Sequence, residues 1–575
     1  MVLKDALRWL LPALLVSVLG TARADYYDVP DEDPDVTAPD VPEGPKTPGR
    51  AKGSDKTAAA IFDLGSGSDD ATDQTDGSDS DGPAAAEAEL PVPNRPYQVD
   101  SGAIDKLAMN PPELPDLSKF TPQAAMAKLK RKPDGRASVE SMLDKMSFKG
   151  FMGKREGLRE WAMRQPTMPK IIYIRDGTMT PADLAKQLPA DDFREVSKGV
   201  YLARLPIDVT PNGTLYIPDG VEVRLSWDRG AFLVNEGKLF VSGAKLRGWN
   251  EDRNQPAWFR KPNDFRPFLI SWAGSETYIV NSVIAHMGYN ASKGYGVSIS
   301  QFSPGLKPIM SRPSPSGWIL NNEFYDNWYG FYTYEAQDVV VKGNNFHDNI
   351  HYAIDPHDRS RRLIIADNKT SKTREKHGII ISREVNDSWI INNESFDNAL
   401  SGIVVDRNCI NTVIANNKVY RNGADGITIY ESPKNLLWEN VASGNKRHGM
   451  RVRNSTDLRL YNNVAVANGL SGIYGHIRDV GQGRNLKLDP YQERVSMTVV
   501  GGQLVSNGSS PISVDAPLSL EMYNVDLRAP ARQLGIKFTG VLGRYQEQVL
   551  DILMRKKGAV VIHPSGPASV LTNNR

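Results

Sequence analysis

Asparagine recurs through the second half of this 575-residue chain at an interval that a single globular core would not impose. The series Asn322, Asn345, Asn368, Asn393, Asn417, Asn440 and Asn463 advances in steps of 23, 23, 25, 24, 23 and 23 residues. A second asparagine usually follows five residues later, at Asn327, Asn398, Asn422, Asn445 and Asn468, with Asn349 four after Asn345. Between them lie short β-type runs, usually opened by glycine, such as those starting at Gly378, Gly402, Gly426 and Gly449. A second run follows in each unit, as in Trp389-Ile390-Ile391 and Thr412-Val413-Ile414. One such unit cannot bury its apolar face alone, but stacked units align their inward Ile and Val into a continuous core. Asparagine tolerates the left-handed turns between short strands and can stack with its equivalent in the next coil. The predicted fold is all-β, a right-handed parallel β-helix. A leucine-rich horseshoe lacks its LxxLxL register here, and a propeller blade needs ~40 or more residues.

The repeat breaks twice. The step from Asn281 to Asn322 is 41, with a Pro/Ser-rich insertion from Ser303 to Ser316, and a second insertion runs from Arg478 to Glu493. Insertions in solenoids often border the binding face. Upstream, Thr214–Arg224 and Gly237–Arg247 read as less regular coils, and helices are expected near Leu143 and over Pro181–Lys186. Gln546–Met554 reads as an amphipathic helix capping the C-terminal end. At the N-terminus, Lys4 and Arg8 precede the short apolar stretch Trp9–Leu19, interrupted by Pro12, and Ala22-Arg23-Ala24 fits a small-x-small cleavage site. This is the pattern of a secretory signal rather than an anchor. Residues 25–95 hold 18 acidic and 5 basic residues among Ser, Gly, Pro and Ala, which leaves about +12 on residues 96–575. The acidic stretch buries too little apolar surface to order itself and is expected to be a disordered linker. The expected organisation is a signal peptide (1–24), linker (25–95), flanking and capping region (96–200), β-helix (201–530) and C-terminal cap (531–575).

Strand side chains alternate in and out. Counting from the opening Gly or Ala as zero, positions +1 and +3 are mostly apolar and point inward. Outward at +4 stand Tyr334, His357, Ser382, Asp406, Tyr430, Arg453 and His476; at +2 stand Tyr332, Asp355, Ile380, Val404, Thr428, Arg451 and Tyr474. Position +5 carries Glu335, Asp358, Arg383, Arg407, Glu431, Asn454 and Ile477. With coils about 4.8 Å apart, His357, Arg383, Asp406 and Arg407 fall within about two coils. A merely solvated face would be richer in Lys/Glu mixtures. A stripe of Tyr, His, Arg and Asp on a basic body suits a long polyanionic sugar chain, since Arg binds carboxylates bidentately. Export leaves nucleic acid out as a partner. The single cysteine, Cys409, excludes a disulfide framework or a Cys-rich zinc site.

Asp355-Pro356-His357-Asp358 at a strand end, Ile381-Ser382-Arg383-Glu384, the asparagine-marked coils and the export signal together closely resemble the periplasmic mannuronan C5-epimerases of bacterial alginate biosynthesis. The resemblance spans about residues 165–560 and leaves out 25–95. It implies a parallel β-helix, a polymannuronate substrate, a periplasmic location, calcium-independent catalysis without cofactor or metal, and a place among the proteins of alginate biosynthesis and secretion. No membrane span is expected once the signal is removed.

C5 epimerisation removes a proton beside a carboxylate and so creates a dianion. A guanidinium meets the charge requirement; Arg383 is the candidate, and the resemblance points to the same residue. His357 is the candidate base, because imidazole titrates near neutral pH. Asp355 or Asp358 is expected to orient it, unless either only caps a turn at Pro356. Arg407, Arg451 and Arg453 are candidates for flanking carboxylates, with Asp358, Tyr334, Asp406 and Tyr430 also placed against substrate. The group returning the proton is left open between water, Tyr334 and Tyr430. His347 and His351 read as peripheral, and His357 with His476 lacks the third ligand a zinc site needs. A β-elimination lyase shares the first step, and a non-catalytic polysaccharide guide would use the same groove. A hydrolase needs two placed carboxylates, for which the outward ladders hold too few.

Overall fold

The computed structural model describes residues 96–565, apart from 105–106, 108, 143–164, 166–167, 292, 302–311, 483, 488 and 556–557. The expected signal peptide, the acidic linker, the helix near Leu143 and most of the first insertion lie outside the described residues.

Each coil contributes three short strands to three parallel stacks. In one coil these are Ile403–Asp406 in the first sheet, Val413–Ala415 in the second and Lys418–Tyr420 in the third. The first sheet carries β1 (Tyr329–Tyr334), β2 (Tyr352–His357), β3 (Ile379–Ser382), β4 (Ile403–Asp406), β5 (Ile427–Tyr430), β6 (Met450–Arg453) and β7 (Ile473–His476). Their inward residues, among them Ile354, Ile379, Ile381, Ile403, Val405, Ile427, Ile429 and Val452, are fully buried. The all-β parallel β-helix read from the repeat is the architecture present.

The asparagines hold the turns by a closed hydrogen-bond ladder. Asn417 receives at Oδ1 the backbone N–H and the Nδ2 of Asn393, and donates its own pair to Asn440 Oδ1. Its Nδ2 also reaches the Ile390 carbonyl at 2.8 Å. Every polar valence of a buried amide is thus used, which removes the cost of burying it. The member of this ladder between Asn322 and Asn368 is Asn344, not Asn345. That correction restores the five-residue offset to Asn349, which belongs to the second ladder with Asn327. The left-handed residue of the turn is the one before each asparagine, as at Asn416 (φ 57°) and Glu439 (φ 53°).

Parallel stacking begins with the strand Lys170–Met179, which pairs with Ile207–Val209 and Gly213–Ile217. The stack therefore starts inside the segment read as flanking. Helix α1 (Pro181–Gln187) closes this end, with Leu184 in the core and a Thr180/Asp183 capping box at its start. At the other end, Val549 of α2 (Gln546–Arg555) enters the core. The strand Ala559–Pro564 pairs antiparallel with Pro517–Tyr523 and Tyr97–Gly102, so the parallel stack ends in paired strands. From Gly102 the chain runs back along the outside of the second sheet, packing Leu117, Phe120 and Met126 on its exterior aromatic stripe.

Candidate active site

The outward face of the first sheet positions every candidate side chain. Tyr334 pairs in register with His357, Ser382 with Asp406, Asp406 with Tyr430, Tyr430 with Arg453 and Arg453 with His476. Pro356 lies inside β2 and offers no N–H, so the turn follows His357 rather than Pro356. Asp355 is therefore a buried strand residue and caps no turn at Pro356. The +5 residues leave the strands in left-handed conformation: Asp358 (φ 34°), Arg383 (φ 58°) and Arg407 (φ 56°). Such backbone costs on the order of 1 kcal/mol for residues with a Cβ. It is sustained by coil-to-coil bonding, since Asp358 N–H donates to the Ser382 carbonyl and Arg383 N–H to that of Asp406.

The His357 ring is fixed by Asp358, whose Oδ2 lies 2.6 Å from Nδ1. Burial alone would raise the Asp358 carboxyl. The adjoining His357, Arg383 and Arg359 outweigh burial and hold it well below the usual carboxylate range. An ionised Asp358 accepts its hydrogen bond from an Nδ1–H, which leaves Nε2 as the nitrogen able to take up a proton. Arg383 is nearly buried and meets carboxylates at loose distances, Asp358 Oδ1 at 3.9 Å and Asp489 Oδ2 at 3.3 Å. Asp406 takes the Ser382 hydroxyl and the Arg407 Nε at Oδ2, each at 3.3 Å. Burial pushes Asp406 up to about 6, against the pull of Arg407 and with help from Glu431. Tyr334 receives a hydrogen bond from Arg359 at 3.3 Å, and burial raises its phenol.

The remaining candidates are placed differently. Arg453, expected to bind a substrate carboxylate, already grips that of Glu431 at 2.8 and 3.2 Å, beneath the Tyr430 ring. Arg484 joins the same carboxylate at 3.1 Å. Arg451 is buried, donates to His476 Nε2 at 3.1 Å and faces Asp425 at 3.7 Å. The +2 ladder points outward, yet Tyr332, Asp355 and Val404 are buried there, and Tyr332 and Val404 form an aromatic and apolar floor with Tyr329 and Tyr352. Cys409 is buried in the core.

Asp489 and Arg484 were invisible to the repeat because they sit in the second insertion. That segment is tied across the coils: Asn408 Nδ2 donates to the Pro490 carbonyl at 2.9 Å and Arg484 Nε to that of Asp489 at 2.8 Å. The acidity of Asp489 in an insertion beside a basic ladder was the available signal. Among the described residues no group of three His, Cys, Asp or Glu side chains is placed to hold a metal ion.

Known proteins match this arrangement. The family described as right handed beta helix region matches residues 268–405 and 376–483. The mannuronan C5-epimerase of Pseudomonas aeruginosa is 57% identical over 470 residues, covering 81% of this chain and 87% of that protein. The mannuronan C5-epimerase AlgG of Azotobacter vinelandii is 54% identical over 473 residues, covering 82% and 90%. The crystal structure of the periplasmic alginate epimerase AlgG superimposes with a TM-score of 0.72 at 50% identity, over 73% of this chain and all of that one.

Proposed function

The chain belongs to the mannuronan C5-epimerases, and on that premise we propose that the first sheet performs the inversion with His357 as base and Arg383 as the carboxylate-binding cation. The protein is a periplasmic enzyme acting on alginate polymer, converting β-D-mannuronate to α-L-guluronate residues within the chain. The observation that carries the site assignment is the junction of β2 and β3. There a histidine with its Nδ1 fixed by a carboxylate stands one coil from a guanidinium that lies between the carboxylates of Asp358 and Asp489.

A sugar carboxylate against Arg383 has its negative charge neutralised, and the C5 proton becomes acidic enough to leave. The C5–H pair moves toward the carboxylate carbon and the proton passes to His357 Nε2. Asp358 stabilises the imidazolium that forms, as a buried carboxylate at Nδ1 must. Positive charge developed against the dianion is worth roughly 10²–10³ in rate when it is preorganised. Arg383 supplies this charge from the chain itself, which supports catalysis without calcium or another cofactor. Asp355 belongs to the same proposal as a support beneath His357, and Arg407, Tyr430 and Tyr334 as the groove walls along the polymer. Association with other periplasmic proteins of alginate biosynthesis and secretion is part of the proposal and is supported by family membership; co-purification from the periplasm tests it.

The test is the full protein with polymannuronate in chelator-treated deuterated buffer, followed by proton NMR and ultraviolet absorbance. Guluronate carrying deuterium at C5 with no absorbance rise is expected. Unsaturated, absorbing ends would make the enzyme a lyase, and dependence on added calcium would overturn the metal-free mechanism.

A further inference from the structure

Inversion needs a second proton-handling group on the face opposite His357, and the ladder places one there. His357, Ser382 and Asp406 are consecutive outward side chains: Ile354 pairs with Ile379, which sets His357 beside Ser382, and Ser382 pairs with Asp406. The two titratable groups therefore stand two strand spacings apart, roughly 10 Å between backbones. Only a serine side chain lies between them on the ladder. Arg383 is the next residue after Ser382, so the carboxylate-binding cation and this notch belong to one coil. A sugar held at Arg383 would lie over Ser382, between the coil of His357 and the coil of Asp406.

We propose that Asp406 is the acid that delivers the proton to C5 on the face opposite His357, an assignment that rests on the epimerase chemistry above. Both protein contacts of its carboxyl fall on Oδ2, from Ser382 Oγ and Arg407 Nε. The side chain retains 14% of its exposure. Burial raises its carboxyl to about 6, with Arg407, Arg453 and Arg484 opposing and Glu431 assisting. The two tyrosines are worse placed. Tyr334 lies one coil beyond His357, on the side of the base, and its phenol is a weaker acid than usual. Tyr430 lies one coil beyond Asp406, with the Arg453 guanidinium 3.8 Å from its ring centre.

The step balances within the site. The C5–H bond breaks, its proton bonds to His357 Nε2 and its electron pair enters the carboxylate system. That pair then re-forms C5–H with the proton of Asp406, whose O–H pair stays on the carboxylate beside Arg407. Water takes the proton from His357 and returns one to Asp406, so no net proton is consumed.

The experiment compares wild type, Asp406→Asn, Asp406→Glu and His357→Ala on polymannuronate in deuterated buffer, reading C5 deuterium in both sugars by NMR. Wild type is expected to yield C5-deuterated guluronate; if it yields none, the epimerase reading itself fails. Asp406→Asn is expected to lose guluronate by about 100-fold or more, the scale of a lost general acid. It should still place deuterium at C5 of mannuronate, because His357 exchanges its proton with solvent and returns a deuteron to the same face. His357→Ala should lose both signals. Guluronate formation near wild type in Asp406→Asn, or equal loss of guluronate and of mannuronate exchange, would overturn the assignment. If Asp406→Asn does not melt cooperatively, Asp406→Glu decides by the same ratio: a displaced acid lowers guluronate relative to C5-deuterated mannuronate, and an unchanged ratio sinks the proposal.

Discussion

The coils from β2 to β4 and those from β5 to β7 share one register and one face, but they manage charge in opposite ways. Around β2–β4 the cation Arg383 meets carboxylates at 3.3 and 3.9 Å, and Asp406 meets Arg407 at 3.3 Å. Around β5–β7 the charges are consumed: Glu431 is locked between Arg453 and Arg484, and Arg451 is bound to His476. His476 illustrates the consequence. Burial, with Arg451 and Arg453 adding to it, drives its imidazole well below the ordinary range, so it stays neutral and serves as an acceptor. Register thus gives a side chain its place, while pairing decides whether it remains available for substrate.

The largest effects should separate the two regions by observable. His357→Ala is expected to cost about 10²–10⁴ in epimerisation rate and Arg383→Ala about 10²–10³, with cooperative folding retained. Near-wild-type rates by NMR in either variant would break the comparison at its catalytic end. In the other region, Arg453→Ala leaves the buried Glu431 carboxylate with Arg484 as its remaining cation and is expected to cost about 1.5–3 kcal/mol of stability. Its rate per folded molecule should change far less than that of Arg383→Ala. A thermal melt read beside single-turnover kinetics tests this, and a variant that melts normally but is inactive would move Arg453 into the substrate site.

The sequence made the proposed catalytic ladder legible because two periods coincide there: alternation along each strand, and the coil of about 24 residues that returns each strand to register. His357, Arg383 and Asp406 could be placed on one face from those periods alone. Pairing could not be read in the same way. Arg453 and Arg383 occupy neighbouring ladders and are equally buried, and only the position of Glu431 gives Arg453 its two-point grip on a carboxylate. Asn344 was hidden by its neighbour Asn345, because either member of an Asn-Asn pair satisfies a spacing while only one can enter the amide ladder. The first coil was missed because Lys170–Met179 has neither the asparagine marker nor the opening glycine of the later units.

A smaller effect with two signs sharpens the contrast inside the catalytic region itself. Asp358 is held below its ordinary pKa, so its pairing stabilises the fold above the unfolded value and that contribution fades as pH falls through it. Asp406 is raised from 3.8 to about 6, so its acid form stabilises the fold below 3.8, and the contribution is lost as pH rises through about 6. At roughly 1.4 kcal/mol per pKa unit this amounts to on the order of 2–3 kcal/mol. Asp406→Asn, permanently neutral, should therefore melt above wild type at neutral pH and close to it at pH about 4. Asp358→Asn should melt below wild type at neutral pH. Melting curves across this range that shift both variants in the same direction would show that burial does not govern Asp406.

The smallest effect concerns the one place where the catalytic region borrows the other region's habit. Asp489, carried by the second insertion, rests its carboxylate 3.3 Å from the guanidinium proposed to hold the sugar carboxylate. Substrate must share or displace that contact, so part of its binding energy is spent against an anion of the protein. Asp489→Asn preserves shape, and the backbone bond from residue 489 to the Asn485 carbonyl remains available. It leaves Arg383 with a larger unbalanced positive charge. The expected outcome is a KM for polymannuronate lowered about three- to tenfold, equivalent to about 0.7–1.4 kcal/mol, with kcat little changed. A rise in KM, or a fall in kcat with KM constant, would instead make Asp489 a positioning residue that aims Arg383 at C5. In that case the tight pairing of β5–β7 and the loose pairing of β2–β4 would be two settings of one device, differing in distance rather than in purpose.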